Sequence, residues 1–251
     1  MWDRRKRILA YIIEKGEASI LELSSLFPTV SSMTIRRDLE YLEANGDVVR
    51  TKGGAKSIVG LSMRREEAYH QRASENAEQK KEIAEKTIPL LSETNSVYFD
   101  AGSTVMQIVK SLDNMPMLAI TNDPNIAIEL LNNPLCEVNI IGGRLNRQNI
   151  SISGLGAADA LHGIHIDTAV MAASGYTEAF GFTCGSYDEA VLKRTVIAAA
   201  KKIILVMDST KIGRNHTFSF AEPSDVNFFV TDSQADPNVL TALKEAALVI
   251  I

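Results

Sequence analysis

Two groups of residues in this 251-residue chain have types and spacings that could do chemistry. The first lies between Ser31 and Ala55. Ser31, Ser32, Thr34, Arg36 and Arg37 set short hydroxyls and planar guanidinium forks close together, groups suited to phosphate oxygens and to the base edges of a DNA duplex. Further on, Arg50, Lys52 and Gly53 put positive charge at what reads as a flexible hairpin tip. The second group is spread from Asp100 to Lys211. Asp100-Ala101-Gly102-Ser103-Thr104 offers amides, two hydroxyls and a glycine that permits close backbone approach, a composition suited to a phosphate at a helix N-terminus. Thr121-Asn122, Gly142-Gly143-Arg144, Ser174-Gly175 and Lys211 follow other apolar runs, and Glu189 and Lys193 lie on a later helical stretch. If these converge on one sheet rim, they form a pocket for a phosphorylated polyol. Taken singly, each has a plainer reading: Gly102 and Gly142 as turn formers, Ser103 as a cap, Glu189 as part of a Ser186-to-Glu189 capping box, Lys193 as a solvated helix face. Together they favour the phosphate reading for Gly102, Ser103 and Thr104. Glu189 and Lys193 stay open between the two.

The elements that must position the first group follow from periodicity. Ile35, Leu39 and Leu42 recur at helical spacing, so one face of that helix is buried and the hydroxyls and arginines lie on adjacent faces. Asn45-Gly46 is its stop signal, and Val48 to Gly54 alternates like a short hairpin. Upstream, Arg4 to Lys15 pairs Ile8 with Ile12 and Leu9 with Ile13, and Gly16 ends it. Ser19 and Glu22 have capping-box spacing, which predicts a second helix over Ile20 to Leu26 with Leu23 and Leu26 inward. Phe27-Pro28-Thr29-Val30 is the turn before the third helix. Three short helices and a hairpin make a winged helix-turn-helix, the third helix entering the major groove.

Residues 57–92 form a polar bridge, read as a connector followed by a helix. No Gly/Ser-rich tract interrupts it, so the modules it joins are coupled more stiffly than by a flexible linker. The expected division is a DNA-binding domain over 1–57, a connector over 58–74, and a ligand-binding and oligomerisation domain over 75–251. From Ser96 onward apolar strands at 97–99, 117–120, 138–141, 168–172, 203–207 and 228–230 alternate with helical stretches. That alternation predicts a doubly wound, mainly parallel α/β sheet. Asp123-Pro124 and Asp236-Pro237 read as an N-cap followed by proline at the first helical position. There is no GxGxxG after a strand and no Walker loop, so no cofactor is expected.

Composition narrows the field. No run approaches the ~18 apolar residues of a membrane span, and basic Met1 to Arg7 is followed by no uninterrupted apolar segment of secretory type. Cys136 and Cys184 are far apart, which fits a reducing cytoplasm. His162 and His165 near Asp167 read as turn residues in preference to a metal site. The net charge of −5 divides unevenly: residues 1–56 hold ten Lys/Arg against eight Asp/Glu, and the remainder sixteen against twenty-three. A basic small module on an acidic large one is expected when only the first meets DNA.

Thr34-Ile35-Arg36-Arg37-Asp38-Leu39 followed by Arg50-Thr51-Lys52-Gly53-Gly54-Ala55 resembles the helix-turn-helix signature of the DeoR-type bacterial repressors of sugar metabolism. Asp100 to Thr104, Thr121-Asn122, Gly142-Gly143 and Asp208-Ser209-Thr210-Lys211 support the resemblance, which spans nearly the whole chain. It implies a sensor domain related to ribose-phosphate isomerases that binds a phosphorylated sugar without converting it and thereby releases double-stranded operator DNA upstream of a catabolic operon. Two departures stand out. The turn ending in Ser31 is one residue longer than the family's usual turn, implying a different angle between the second and third helices. Ser103 stands where the family often has Thr, which keeps the hydroxyl.

Because one winged module covers a half-site, a homo-oligomer, dimer or tetramer, is expected. The alternative is a sugar-phosphate isomerase with an accessory DNA-binding module, in which Glu189 serves as base and Lys193 or Lys211 holds substrate. A protein–protein adaptor fits the Arg36/Arg37 pair and the Lys-Gly-Gly wing less well.

Overall fold

The computed structural model describes residues 2–44, 47–57, 72, 75–92, 94–245 and 249–251. The chain divides into two compact units, Met1–Arg65 and Glu66–Ile251. The helix stop expected at Asn45-Gly46 and, Arg72 apart, the connector expected at 58–74 lie outside the described residues.

The first unit contains α1 (Trp2–Lys15), β1 (Glu17–Ser19), α2 (Ile20–Leu26), α3 (Ser32–Ala44), β2 (Val48–Thr51) and β3 (Gly54–Ser57). Gly16, at φ +80°, turns the chain out of α1. The expected capping box is present: the Ser19 hydroxyl accepts from the Glu22 amide at 3.1 Å, and the Glu22 carboxylate accepts from the Ser19 amide at 2.7 Å. The core joins Ile8, Ile12, Leu23, Ile35, Leu39, Leu42 and Val48. Leu26 departs from expectation, with 45% of its surface exposed; Phe27, one turn on from Leu23, packs against the core in its place. The wing also differs, being three-stranded and antiparallel in the order β1-β3-β2. At three residues β1 is too short to display a period of two. Gly54 makes its pairing possible, since a Cβ there would lie 2.0 Å from the Ala18 carbonyl oxygen.

The second unit is built on a seven-stranded parallel sheet. Among the described residues its helices include α4 (Ala77–Thr87), α5 (Ser103–Lys110), α6 (Pro124–Leu130), α7 (Leu155–Asp159), α8 (Tyr187–Ala199) and α9 (Pro237–Glu245). The strands are β4 (Ser96–Phe99), β5 (Met117–Thr121), β6 (Cys136–Ile140), β9 (Ile166–Ala172), β12 (Ala200–Val206), β14 (Phe228–Val230) and β15 (Val249–Ile250), in the order β15-β14-β12-β9-β4-β5-β6. Helices cover both faces, so successive strand residues feed two cores. Val97 and Phe99 pack with Ile83, Val105, Ile108 and Ile126 on one side. Tyr98 packs with Ala157, Leu192, Val196 and Leu243 on the other. Burial on both faces is why these strands read as continuous apolar runs.

Three pieces lay beyond the sequence expectation: β15, the antiparallel pair β7 (Arg144–Asn146) and β8 (Ser151–Ser153), and an antiparallel sheet of β10 (Gly175–Thr177), β11 (Gly181–Cys184) and β13 (Phe218–Ala221). All are strands of two to four residues. From β4 the chain builds outward through β5 to β6, then returns to lay β9 on the other side of β4 and builds outward again. The strand order therefore reverses between β4 and β9, and in such sheets ligands bind beyond the carboxyl ends of the strands at that reversal.

Candidate nucleic-acid interface and candidate effector site

In the first unit the position of α3 is fixed before any ligand arrives. Ser31 caps it, accepting from the Thr34 amide at 3.3 Å and sharing a 3.0 Å hydrogen bond with the Thr34 hydroxyl. Asp38, on the inward side of the helix, is 1% exposed and accepts from Arg4 at 2.6 Å and Arg5 at 2.8 Å. Burial opposes that carboxylate, but the two arginines outweigh it and hold its pKa below the ordinary value. This clamp ties α1 to α3. Arg5 also lies 3.9 Å over the Tyr41 ring, further bracing the same joint.

Ser32, Arg36 and Arg37 are exposed on the opposite faces of α3, and Lys52 and Gly53 are exposed at the turn between β2 and β3. The Gly53 carbonyl accepts from the Ile20 amide at 2.8 Å, which fixes that turn against the start of α2. Arg50 differs from its expected role as a wing cation facing solvent. Its guanidinium pairs with Glu40 at 3.0 Å and Glu43 at 3.9 Å, and its amide donates to Glu43 at 3.1 Å. Arg50 thus joins wing to helix, and a DNA phosphate would have to compete with two carboxylates for it. The unit presents Arg36, Arg37 and Lys52 from a preset helix and hairpin, a geometry suited to groove and backbone contacts.

In the second unit the reversal between β4 and β9 holds a buried charge cluster. Asp100 follows β4, is 1% exposed, and accepts from the Ala172 amide at 3.0 Å at the end of β9. Lys193, reaching in from α8, pairs with Asp100 and donates to the Ala172 carbonyl at 2.9 Å, with Glu189 one helical turn away at 3.4 Å. Burial disfavours the ammonium, but Asp100 and Glu189 outweigh it, so Lys193 stays protonated with its pKa above the ordinary lysine value. The solvated-face reading of Lys193 is therefore wrong, since its side chain is 3% exposed. Glu189 is a counter-ion on the same helix, an arrangement that does not suit a proton-abstracting base.

Around this floor the expected residues separate into two sets. Gly102, at φ +153°, a conformation few side chains tolerate, opens α5. The first-turn amides of α5 have no partner within the helix, and the Ser103 hydroxyl, buried beside them, has none among the described residues. Thr104 is buried in the same turn. Ser174 follows β9, Lys211 ends a short 3-10 turn after β12, and exposed Arg144 starts β7, pairing with Asp188 in the first turn of α8.

The remaining expected residues hold the framework. Thr121 is fully buried and accepts from the Asp123 amide at 3.1 Å. Asn122 accepts from the Ala101 amide at 3.0 Å and donates to the Ile152 carbonyl at 3.1 Å, tying the β4 loop to β8. Gly142 is exposed after β6. A Cβ at Gly143 would lie 2.9 Å from Ile152 and Ser153 atoms, and one at Gly175 would lie 2.4 Å from the Arg214 carbonyl oxygen. Those two glycines serve close packing.

A second cluster gathers around the Asp208-to-Lys211 loop, and of its members the sequence reading missed Lys80 and Asn76. Asp208, two residues beyond β12, is 1% exposed; Lys211 stands 3.5 Å away, and Thr210 and Asn76 hydrogen-bond to it. Burial opposes the Asp208 carboxylate, yet Lys211, Thr210 and Lys80 hold its pKa below the ordinary value. Lys80 on α4 is 4% exposed and donates to the Arg72 and Glu75 carbonyls. Burial, helped by Lys211, pushes its pKa down to about 8. A signal for Lys80 was available: residues 80, 83, 84 and 87 share one helix stripe, and Ile83, Ala84 and Thr87 are all buried. Beside this cluster a cavity of about 670 Å³ opens between β10 and the start of α9, lined in part by Tyr176, Thr177, Ser209, Thr210, Asp236 and Asn238. Its size and hydroxyl-rich wall suit a small polar ligand.

Comparison with known proteins agrees with this two-part organisation. Residues 4–59 match the DeoR-like helix-turn-helix domain, and residues 75–233 match the DeoR C terminal sensor domain. The chain is 31% identical over 250 residues to the HTH-type transcriptional regulator GlpR of Haloferax volcanii, covering 99% of this chain and 96% of that protein. It is 28% identical over 230 residues to the HTH-type transcriptional repressor GlcR of Bacillus subtilis, covering 92% and 88%. Among solved structures, ribose 5-phosphate isomerase A of Methanocaldococcus jannaschii is similar over 55% of each chain, at 14% identity and a TM-score of 0.40. Nothing about chemistry follows from a likeness that loose. No helix among the described residues is long and apolar enough to cross a membrane.

Proposed function

This chain belongs to the DeoR family of transcriptional regulators, and from that premise we propose that it represses a sugar-catabolism operon in the cytoplasm until a phosphorylated sugar releases it from its operator. It is a DNA-binding regulator, and the isomerase alternative is not favoured. Residues 1–57 form the DNA-binding domain, 58–74 the connector, and 75–251 the sensor and oligomerisation domain. Arg36, Arg37, Ser32 and Thr34 read the major groove, while Lys52, Gly53 and, once freed from its carboxylates, Arg50 meet phosphates from the wing; Ser31 sets the helix.

In the sensor, the first-turn amides of α5 with Gly102, Ser103 and Thr104 hold the phosphate. Asp100, Lys193, Glu189, Thr121, Asn122, Gly142 and Gly143 shape its floor, and Arg144, Ser174, Gly175 and Lys211 line the approach. Lys80, Asp208 and Thr210 join them on the sugar side, toward the cavity. One observation carries this reading: a buried hydroxyl with no partner among the described residues, Ser103, sits at a helix N-terminus where the strand order reverses. A ligand must favour one state of the protein over another to change DNA affinity, and the buried lysines are the groups an incoming phosphate would re-pair.

The test is thermal unfolding of the full chain against a panel of pentose, hexose and triose phosphates beside their unphosphorylated sugars. The effector at 100 Kd adds about 2.7 kcal/mol of stability. A panel in which no phosphorylated sugar raises the melting temperature would sink the sensor assignment.

A further inference from the structure

The parallel sheet ends on one side at β6, and among the described residues that edge lacks the devices that usually prevent pairing. Edge strands are commonly blunted by Lys, Pro, a bulge or a covering element. β6 reads Cys136-Glu137-Val138-Asn139-Ile140, with one charge and no proline. The Ile141 amide donates to the Thr121 carbonyl of β5 at 2.8 Å. Backbone groups alternate in direction every residue, so Glu137 and Asn139 also turn theirs toward β5. Val138 and Ile140 turn theirs to the open side. Cys136 turns its carbonyl the same way, while its amide is taken by the Asn133 carbonyl at 3.1 Å.

The surroundings of this edge are apolar. Ile128 and Leu131, one turn apart on α6 and its C-terminal cap, are 67% and 69% exposed. Leu135 leads into β6 at 55% and Ile140 ends it at 49%. Large apolar side chains grouped beside unpaired backbone mark an interaction surface on a protein of this size.

We propose that β6 pairs antiparallel with β6 of a second copy of this chain, about a twofold axis through Val138. Outward-facing residues must oppose one another, so the possible registers step by two residues. Centred on Val138, Glu137 faces Asn139 and Cys136 faces Ile140, and each carboxylate gains an amide donor. Centred on Glu137, two carboxylates would face directly, which is destabilising. Centred on Asn139, Glu137 would face Ile141 and Cys136 would lose its opposite strand. The Val138 register is the self-complementary one, and self-complementarity is what a twofold contact requires. It also brings the α6 stripes of the two copies together. The inference stands on the sheet edge alone and holds whatever ligand the sensor takes.

Engineered cysteines test both the partner and the register in the full-length chain carrying Cys136→Ser. Glu137 and Asn139 would form a non-hydrogen-bonded pair with Cα atoms about 4.5 Å apart, within the ~4.4–6.8 Å a disulfide accepts. Chains with Glu137→Cys and with Asn139→Cys, oxidised with diamide, should each stay monomeric on a non-reducing gel when expressed alone. They should cross-link when co-expressed. A cross-link in either single variant indicates another register and overturns the proposal, as does none in the mixture. Independently, Leu131→Glu should halve the mass found by light scattering while far-UV circular dichroism is unchanged. An unchanged mass, or a wild-type chain already monomeric at micromolar concentration, also overturns it.

Discussion

In the first unit the cations Arg36, Arg37 and Lys52 stand in solvent, while the acid Asp38 is buried beneath Arg4 and Arg5. In the second unit the arrangement is inverted: Lys80 and Lys193 are buried, and each is held by carbonyl or carboxylate oxygens. On the proposed function the inversion follows from what each unit must meet. A DNA duplex is a dense line of phosphates, and exposed cations attract it across about a Debye length of ~8 Å without needing an exact fit. A sugar phosphate is small and must be told apart from its relatives, which calls for preset groups in a low-dielectric recess. On the proposed function, output charge lies outside to recruit and input charge lies inside to discriminate.

The largest expected effect tests the inner half of this contrast. Lys193→Met strands Asp100 in the core and should destabilise the second unit by about 3–5 kcal/mol, with Asp100→Asn on the same chain restoring much of the loss. Arg36→Ala should stay within about 0.5 kcal/mol of wild type. Urea unfolding followed by circular dichroism separates the two outcomes. Equal costs at the two lysine and arginine sites would dissolve the distinction between inner and outer charge.

Next comes the pH response of Asp123, which caps α6 by accepting from the Asn125 amide at 2.8 Å. Burial pushes its pKa up to about 6, despite that hydrogen bond. A folded pKa above the unfolded one means the stabilisation is complete below about pH 3.8 and is lost as pH rises through 6. Asn caps nearly as well as Asp. Relative to Asp123→Asn, the wild type should therefore lose on the order of 2–3 kcal/mol between pH 4 and 7. Parallel stability curves for the two proteins would contradict this.

On the outer side, Arg36→Ala and Arg37→Ala should each weaken binding to the chain's own upstream DNA by about 1–3 kcal/mol where the arginine reads a base. Where it meets a phosphate, the slope of log affinity against log salt should become shallower by about one. Fluorescence anisotropy over a salt series reads both. The smallest effect concerns Lys80. With its pKa near 8, a bound phosphate favours the ammonium and draws in a proton, so effector affinity should fall above pH 8 by up to about tenfold per pH unit. Calorimetry in buffers of different ionisation enthalpy detects that proton uptake.

The parts of the fold with strong periodicity were legible in the sequence. The Ile35-Leu39-Leu42 ladder, the Ser19 capping box, and six of the seven parallel strands lie where their patterns put them. β1, β7, β8 and β15 escaped because two or three residues cannot display a period of two, and Leu26 was misplaced because Phe27 competes for the same side of α2. For the candidate site, local composition singled out the α5 loop but could not give how the charges pair. Arg50 reads as a free wing cation until the fold sets Glu40 and Glu43 of α3 beside β2. Lys193 reads as a solvated lysine until β4 delivers Asp100 from 93 residues away. Pairing of this kind is a product of topology, which no local window contains.

The central claim is that the inner charges govern what the outer ones hold. Its most direct measurement is the affinity of the full chain for its own upstream DNA, titrated with the sugar phosphate that most raises the melting temperature and with the matching unphosphorylated sugar. The account predicts that the phosphate weakens DNA binding and the plain sugar does not, and that Ser103→Ala reduces the response without changing affinity in the absence of ligand. DNA affinity unmoved by a sugar phosphate that binds and stabilises the chain would contradict it.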